Sequence, residues 1–146
     1  MANAGLHAAI GMAIVKIIPI WWISLPLAFI SHFFMDLYPE ASVNLKNYKK
    51  KENLLFTISQ IVLVLFVVSV AIIQHSYIMI IAAFLSNLPD LWDEINSLLK
   101  RKNFWFVHGG NFPFKVEHWQ YFCMTSFQNA VLDIIFVTTI LLLIIL

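Results

Sequence analysis

The chain predicts an all-α protein integral to a membrane: a helical bundle of about five hydrophobic segments, some short or re-entrant, plus one surface amphipathic helix. Three observations carry that expectation. Of its 146 residues, 61% are hydrophobic and 12% charged, where a soluble domain has about 45–50% and about 25%; mean hydropathy is +0.84. Residues 54–73 contain no charged side chain, a run of the length a spanning helix needs. The basic residues are gathered between the apolar segments rather than spread through them. At this length residues 1–146 form a single multi-pass membrane domain.

The first segment, 4–18, is apolar except for His7 and Lys16, and stops at Pro19. Proline disfavours helical backbone at the residue before it, and Trp21 and Trp22 behind it suit a membrane interface. A second helix is expected over 23–37. Each piece is about 22 Å long against a hydrocarbon core of about 30 Å, so together they suit a hairpin that does not fully cross. Pro39 and Glu40 end that unit, and a polar loop, 41–53, leads to the uncharged run 54–73. Gln74-His75-Ser76 breaks the run, and a short helix over 77–88 is expected to close at Ser86-Asn87-Leu88-Pro89-Asp90. Residues 91–102 alternate apolar and charged positions with helical spacing, as a helix lying on the membrane surface does. An aromatic-rich loop, 104–117, precedes a last helix from about His118 to Leu146.

Charge bias sets the expected orientation. Lys46, Lys49, Lys50 and Lys51 fall in 41–53, and Lys100, Arg101, Lys102 and Lys115 fall in 93–117. The positive-inside rule places both loops in the cytoplasm, at the inner (plasma) membrane. The helix breaks then bring His7, His32, Asp36, Asp90 and His118 to one membrane level.

Among these, His32 and Asp36 lie four residues apart in the apolar stretch 26–40, one above the other on a helix face. Ionisable groups at membrane depth usually face a protein interior, a cavity or a metal. The functional reading is a metal-ligand pair, or a histidine ligand oriented by a carboxylate; the plain one is a capped helix end. His7 opens His7-x-x-x-Gly11, where the glycine lets another helix approach closely. Asn87, Pro89 and Asp90 also suit the first turn of a helix, so Asp90 has a structural reading beside its reading as a ligand. His75 reads as a turn residue at the other face. Asp133 needs a partner, and Lys16 is the one membrane-embedded cation the sequence offers for it.

Other classes are excluded. A net charge of +1 with its basic residues in loops leaves no nucleic-acid groove. Cys123 stands alone, so no intramolecular disulfide forms. No phosphate loop, dinucleotide fingerprint or nucleophile elbow is present. The expected partner is the lipid bilayer, with a lipid or membrane-adjacent substrate.

At Ser31–Asp36 (SHFFMD) and Leu88–Asp93 (LPDLWD) the sequence resembles the membrane-bound metal-dependent hydrolases of bacterial inner membranes. The resemblance implies metal ligation by His7, His32, Asp36 and Asp90. The family's H-R-G-x-T-H-S segment has no counterpart beyond Val107-His108-Gly109-Gly110, and Ser-His here precedes Pro-Asp. His118 is added as a fifth candidate ligand on position alone. The expected cofactor is a divalent metal; zinc suits mixed His/Asp donors best, and manganese or iron also accepts them. Two functions follow: a hydrolase of a phosphoester or other lipid-adjacent substrate, and a non-catalytic scaffold or partner-binding protein with a degenerate metal site.

Overall fold

The computed structural model describes residues 4–36, 50–99 and 126–146. Five α-helices make up this part of the chain, and no strand occurs among the described residues. They are α1 (Ala4–Ile17), α2 (Trp21–Met35), α3 (Lys50–Ile73), α4 (Tyr77–Leu98) and α5 (Ser126–Ile145). The all-α expectation holds. Among the described residues no helix is long and apolar enough to cross a membrane; of the expected span 54–73, the described side chains begin at Thr57.

The short helix α1 is the shared element, packed against all four others. Its sequence explains why. Gly5, Ala8, Ala9 and Gly11 keep its surface low, so neighbouring backbones come close on several sides. A Cβ on Gly11 would lie 2.7 Å from the Ala82 carbonyl oxygen and 2.9 Å from Ser86 Oγ, and one on Gly5 would lie 2.5 Å from Leu63 Cβ. Met12, Val67, Val137, Leu141 and Ile144 fill the core around it.

Residues 18–20 break the chain at Pro19 as expected, although both tryptophans belong to the first turn of α2 rather than to the break. Helix α2 is polar inside and apolar outside. Its buried positions are Ser24, Ala28 and His32, continued by Asp36 at the C-cap, a single stripe at intervals of four. Trp22, Ile23, Leu27, Ile30 and Phe34 face outward. This reverses the amphipathicity of a helix on the surface of a water-soluble protein.

The turn after α3 is made by Gln74 and His75, with His75 at φ 51°, the left-handed region. That fits its reading as a turn residue. Helix α4 corrects a different expectation. It does not stop at Ser86–Asp90 with a separate surface helix following; it runs unbroken to Leu98 with Pro89 inside. A proline there costs a backbone hydrogen bond to Leu85 and crowds the turn before it. Tertiary packing overrides this cost, because Pro89 is itself buried and both halves of α4 carry buried polar side chains, Ser86 and Asn96. Lys100–Lys102, the loop 104–117 and the expected helix start at His118 lie outside the described residues.

Candidate metal centre

The α1–α2 hairpin places its two histidines at one level. His7 lies eleven residues before Ile18 and His32 twelve after Ile20, each about 17 Å from the turn at 1.5 Å per residue. Their rings stack with centroids 4.4 Å apart. Asp36, one turn beyond His32, reaches both imidazoles. Its Oδ2 is 3.1 Å from His32 Nε2, and its Oδ1 is 3.6 Å from His7 Nε2. From α4, Asp90 Oδ1 comes within 3.8 Å of His32 Nε2. His7, His32 and Asp36 are fully buried, and Asp90 is partly so.

The tautomer of His32 follows from its partner. Nδ1 lies 2.8 Å from the Ser86 carbonyl oxygen; a carbonyl can only accept, so Nδ1 carries the hydrogen. Nε2 is therefore aimed into the cluster, where it either holds a proton against Asp36 or offers its lone pair to a cation. A histidine ligand whose other nitrogen is fixed by a backbone carbonyl is the usual arrangement at metal sites. Ser86 lies three residues before Pro89 in the same helix, so the ring is anchored in the turn that the proline follows.

The donor set fits a divalent metal. His7, His32 and Asp90 each offer one ligand atom, all within 4.8 Å of one another. Donors about 2.0–2.2 Å from a tetrahedral metal stand about 3.3–3.6 Å apart; within the group His32 Nε2 and Asp90 Oδ1 are 3.8 Å apart, close to that spacing, and Asp36 lies 3.1 and 3.6 Å from the two imidazoles. A buried and a partly buried carboxylate facing two imidazoles also favour positive charge, since buried charges need pairing or a metal. A His7–His32–Asp90 group able to hold a metal ion is thus present, with Asp36 against it.

The chain matches no protein-family model, no curated protein and no solved structure.

Four of the five candidate residues, His7, His32, Asp36 and Asp90, therefore meet in space. His118 and His108 lie outside the described residues. Asp93, one turn past Asp90, is not in the metal-capable group, and nothing is described for the side chain of Glu94. His75 is at the opposite end of the bundle.

Asp133 pairs differently from the expectation. Gln60 Nε2 donates to Asp133 Oδ2 at 2.8 Å, and Gly5 N–H donates to Gln60 Oε1 at 3.2 Å. Lys16 is exposed in the last turn of α1, about 16 Å further along that helix than Gly5. An amide therefore takes the role expected of the lysine. Gln60 escaped the sequence reading because it carries no charge. Its signal was available all the same, as a hydrogen-bonding side chain inside an otherwise apolar run.

Proposed function

We propose that this chain is a membrane-embedded, metal-dependent hydrolase acting on a phosphoester or other lipid-adjacent substrate, its cation held by His7, His32 and Asp90 with Asp36 completing the donor set. The observation that carries the reading is the convergence of two imidazoles and two carboxylates from three helices, with His32 Nε2 directed inward by the Ser86 carbonyl. A divalent cation bound there would lower the pKa of a water and polarise a phosphoryl or carbonyl oxygen. The chain's own part is to fix the donors. Ser86 O locks the His32 tautomer, Asp36 bridges the two rings, and Gly11 lets α1 lie close enough to α4 for His7 and Asp90 to share one site.

Embedding in a membrane is supported by the inverted polarity of α2 and by large apolar side chains facing outward on the other helices, among them Ile17, Leu65, Phe84 and Leu143. Soluble monomers rarely expose contiguous apolar patches beyond a few hundred Å². Asp36 at the end of α2 and Asp90 late in α4 stand in the metal-capable cluster, so α2 and α4 both run towards its side of the bundle, which suits basic loops on one cytoplasmic face.

Two measurements test the proposal. Purified protein should carry close to one zinc, manganese or iron per chain and hydrolyse an ester or phosphoester; a metal-free protein whose His32, Asp36 and Asp90 variants are all equally stable would leave the scaffold reading. In a Cys123→Ser background, cysteines introduced at positions 50 and 102 should label from one side of the membrane and one at 76 from the other. Labelling of 50 and 102 from opposite sides would remove the topology on which the proposal rests.

A further inference from the structure

A cavity of about 350 Å³ opens beside the metal-capable cluster, between α1, α3 and α4. Its walls are hydrocarbon for most of their length: Ala8 on α1, Val64 and Val68 on α3, Ile80 and Phe84 on α4. Its two polar lining residues, Asn87 and Asp90, stand together at one end. Along α4 the lining runs from Ile80 to Leu91, about 16 Å at 1.5 Å per residue. The polar end is the end that carries Asp90, a member of the metal-capable group. The cavity is thus a greasy slot whose polar end touches the metal-capable group through Asp90.

Two further features narrow what fits. Helix α4 packs extensively on α1 and α2 but sparsely on α3, and the lining residues Phe84 and Leu91 are exposed. The slot therefore opens sideways between α3 and α4, towards whatever surrounds the bundle. Asn87 donates its amide to the Ala83 carbonyl at 2.9 Å, which leaves Asn87 Oδ1 as a buried acceptor with no hydrogen-bond partner. Such a group is costly unless something donates to it. The volume lies at the low end of the about 300–1,000 Å³ of small-molecule pockets, which suits one chain rather than two.

We propose that this slot binds the acyl chain of a monoacyl glycerolipid, with a free glycerol hydroxyl donating to Asn87 Oδ1 and the acyl linkage presented to the His7–His32–Asp90 group. The proposal rests on the hydrolase reading and names its substrate class: a single-chain lipid that enters laterally from the bilayer. Ala4 and Ala8 keep the α1 wall thin, and Val64 and Val68 set the width.

The test uses the full chain in lipid nanodiscs with a monoacylglycerol bearing a diazirine in its chain. Photolysis should give saturable labelling of Val64, Val68, Ile80 or Phe84, competed by unlabelled monoacylglycerol and not by diacyl phosphatidylglycerol at the same ratio. Val68→Trp, which fills the slot, should abolish this labelling while metal content stays unchanged; Val64→Phe serves the same purpose should the tryptophan variant not fold. Asn87→Leu should weaken competition by about two- to tenfold, the worth of one hydrogen bond. Labels spread evenly over outward residues such as Leu65, Ile72 and Leu142, indifferent to Val68→Trp and Val64→Phe, would overturn the proposal. So would equal competition by the diacyl lipid. Saturable slot labelling in a protein without metal would uphold the lipid site and remove the hydrolase.

Discussion

Among the described residues two polar clusters are buried against α1, and they are built on different principles. At the α1–α3–α5 junction a backbone N–H, an amide and a carboxylate form a linear relay, Gly5 to Gln60 to Asp133, in which each donor meets one acceptor. The amide can satisfy both neighbours in only one orientation, with its oxygen towards Gly5 and its nitrogen towards Asp133. That cluster closes on itself and ties three helices together. At the α1–α2–α4 junction the groups converge on a point instead. Two imidazole nitrogens and two carboxylates crowd one volume, more than pairwise hydrogen bonds require, and Asp90 also lines a cavity beside it. Burial alone does not mark a functional site; the difference lies in whether polar groups satisfy one another in series or leave a common centre.

The contrast is broken most severely at His32. His32→Ala should remove most of the metal, because losing a ligand weakens a site by more than the about 10–100-fold that changes around the ligands cost. Elemental analysis in matched detergent reads this, and retained metal would mean the convergence is not a metal site. Gly11→Ala should act on the same cluster through packing. Its Cβ would meet the Ala82 carbonyl, and forcing α1 from α4 should cost about 1–3 kcal/mol, more than the roughly 1 kcal/mol gained in helix propensity. Thermal unfolding and metal content should fall together. Gln60→Leu should separate the clusters: Gly5 N–H and Asp133 Oδ2 lose their partner at a cost of about 1–3 kcal/mol, while metal content holds. If metal were lost as well, the relay would be part of the site rather than independent of it. His75→Ala should be the quietest, with unchanged metal and a stability change of about 1 kcal/mol or less, as an exposed turn residue away from both clusters whose left-handed backbone is its one constraint.

Legibility in the sequence followed the range of the forces involved. The break at Pro19, the turn at 74–76 and the four residues His7, His32, Asp36 and Asp90 could be placed because proline, polar punctuation and alternating helix direction act through the chain itself. Pro89 could not. Locally it stops a helix, and the packing that carries α4 past it involves α1 and α2, far away in sequence. Asp133 was visibly in need of a partner, yet charge complementarity pointed to Lys16 because formal charge is easier to see than an amide. The anchor of His32 was invisible for a deeper reason: a backbone carbonyl belongs to every residue, so the Ser86 oxygen leaves no mark in the sequence.

The metal-capable group is divided between two helical hairpins. His7 and His32, with Asp36 against them, come from the α1–α2 hairpin; Asp90, and the Ser86 carbonyl that accepts from His32 Nδ1, come from the α3–α4 hairpin. A cation held between them would act as a clasp, adding its binding free energy to the docking of one hairpin on the other by mass action. The ion would add to the apolar packing of α1 on α3, α4 and α5 and to the Gly5–Gln60–Asp133 relay, which already join the two hairpins. Co-expressed as separate fragments cut within the stretch 37–49, the pieces should associate more tightly when metal is supplied and more weakly when a chelator removes it, so that the strength of assembly becomes a reporter of metal supply.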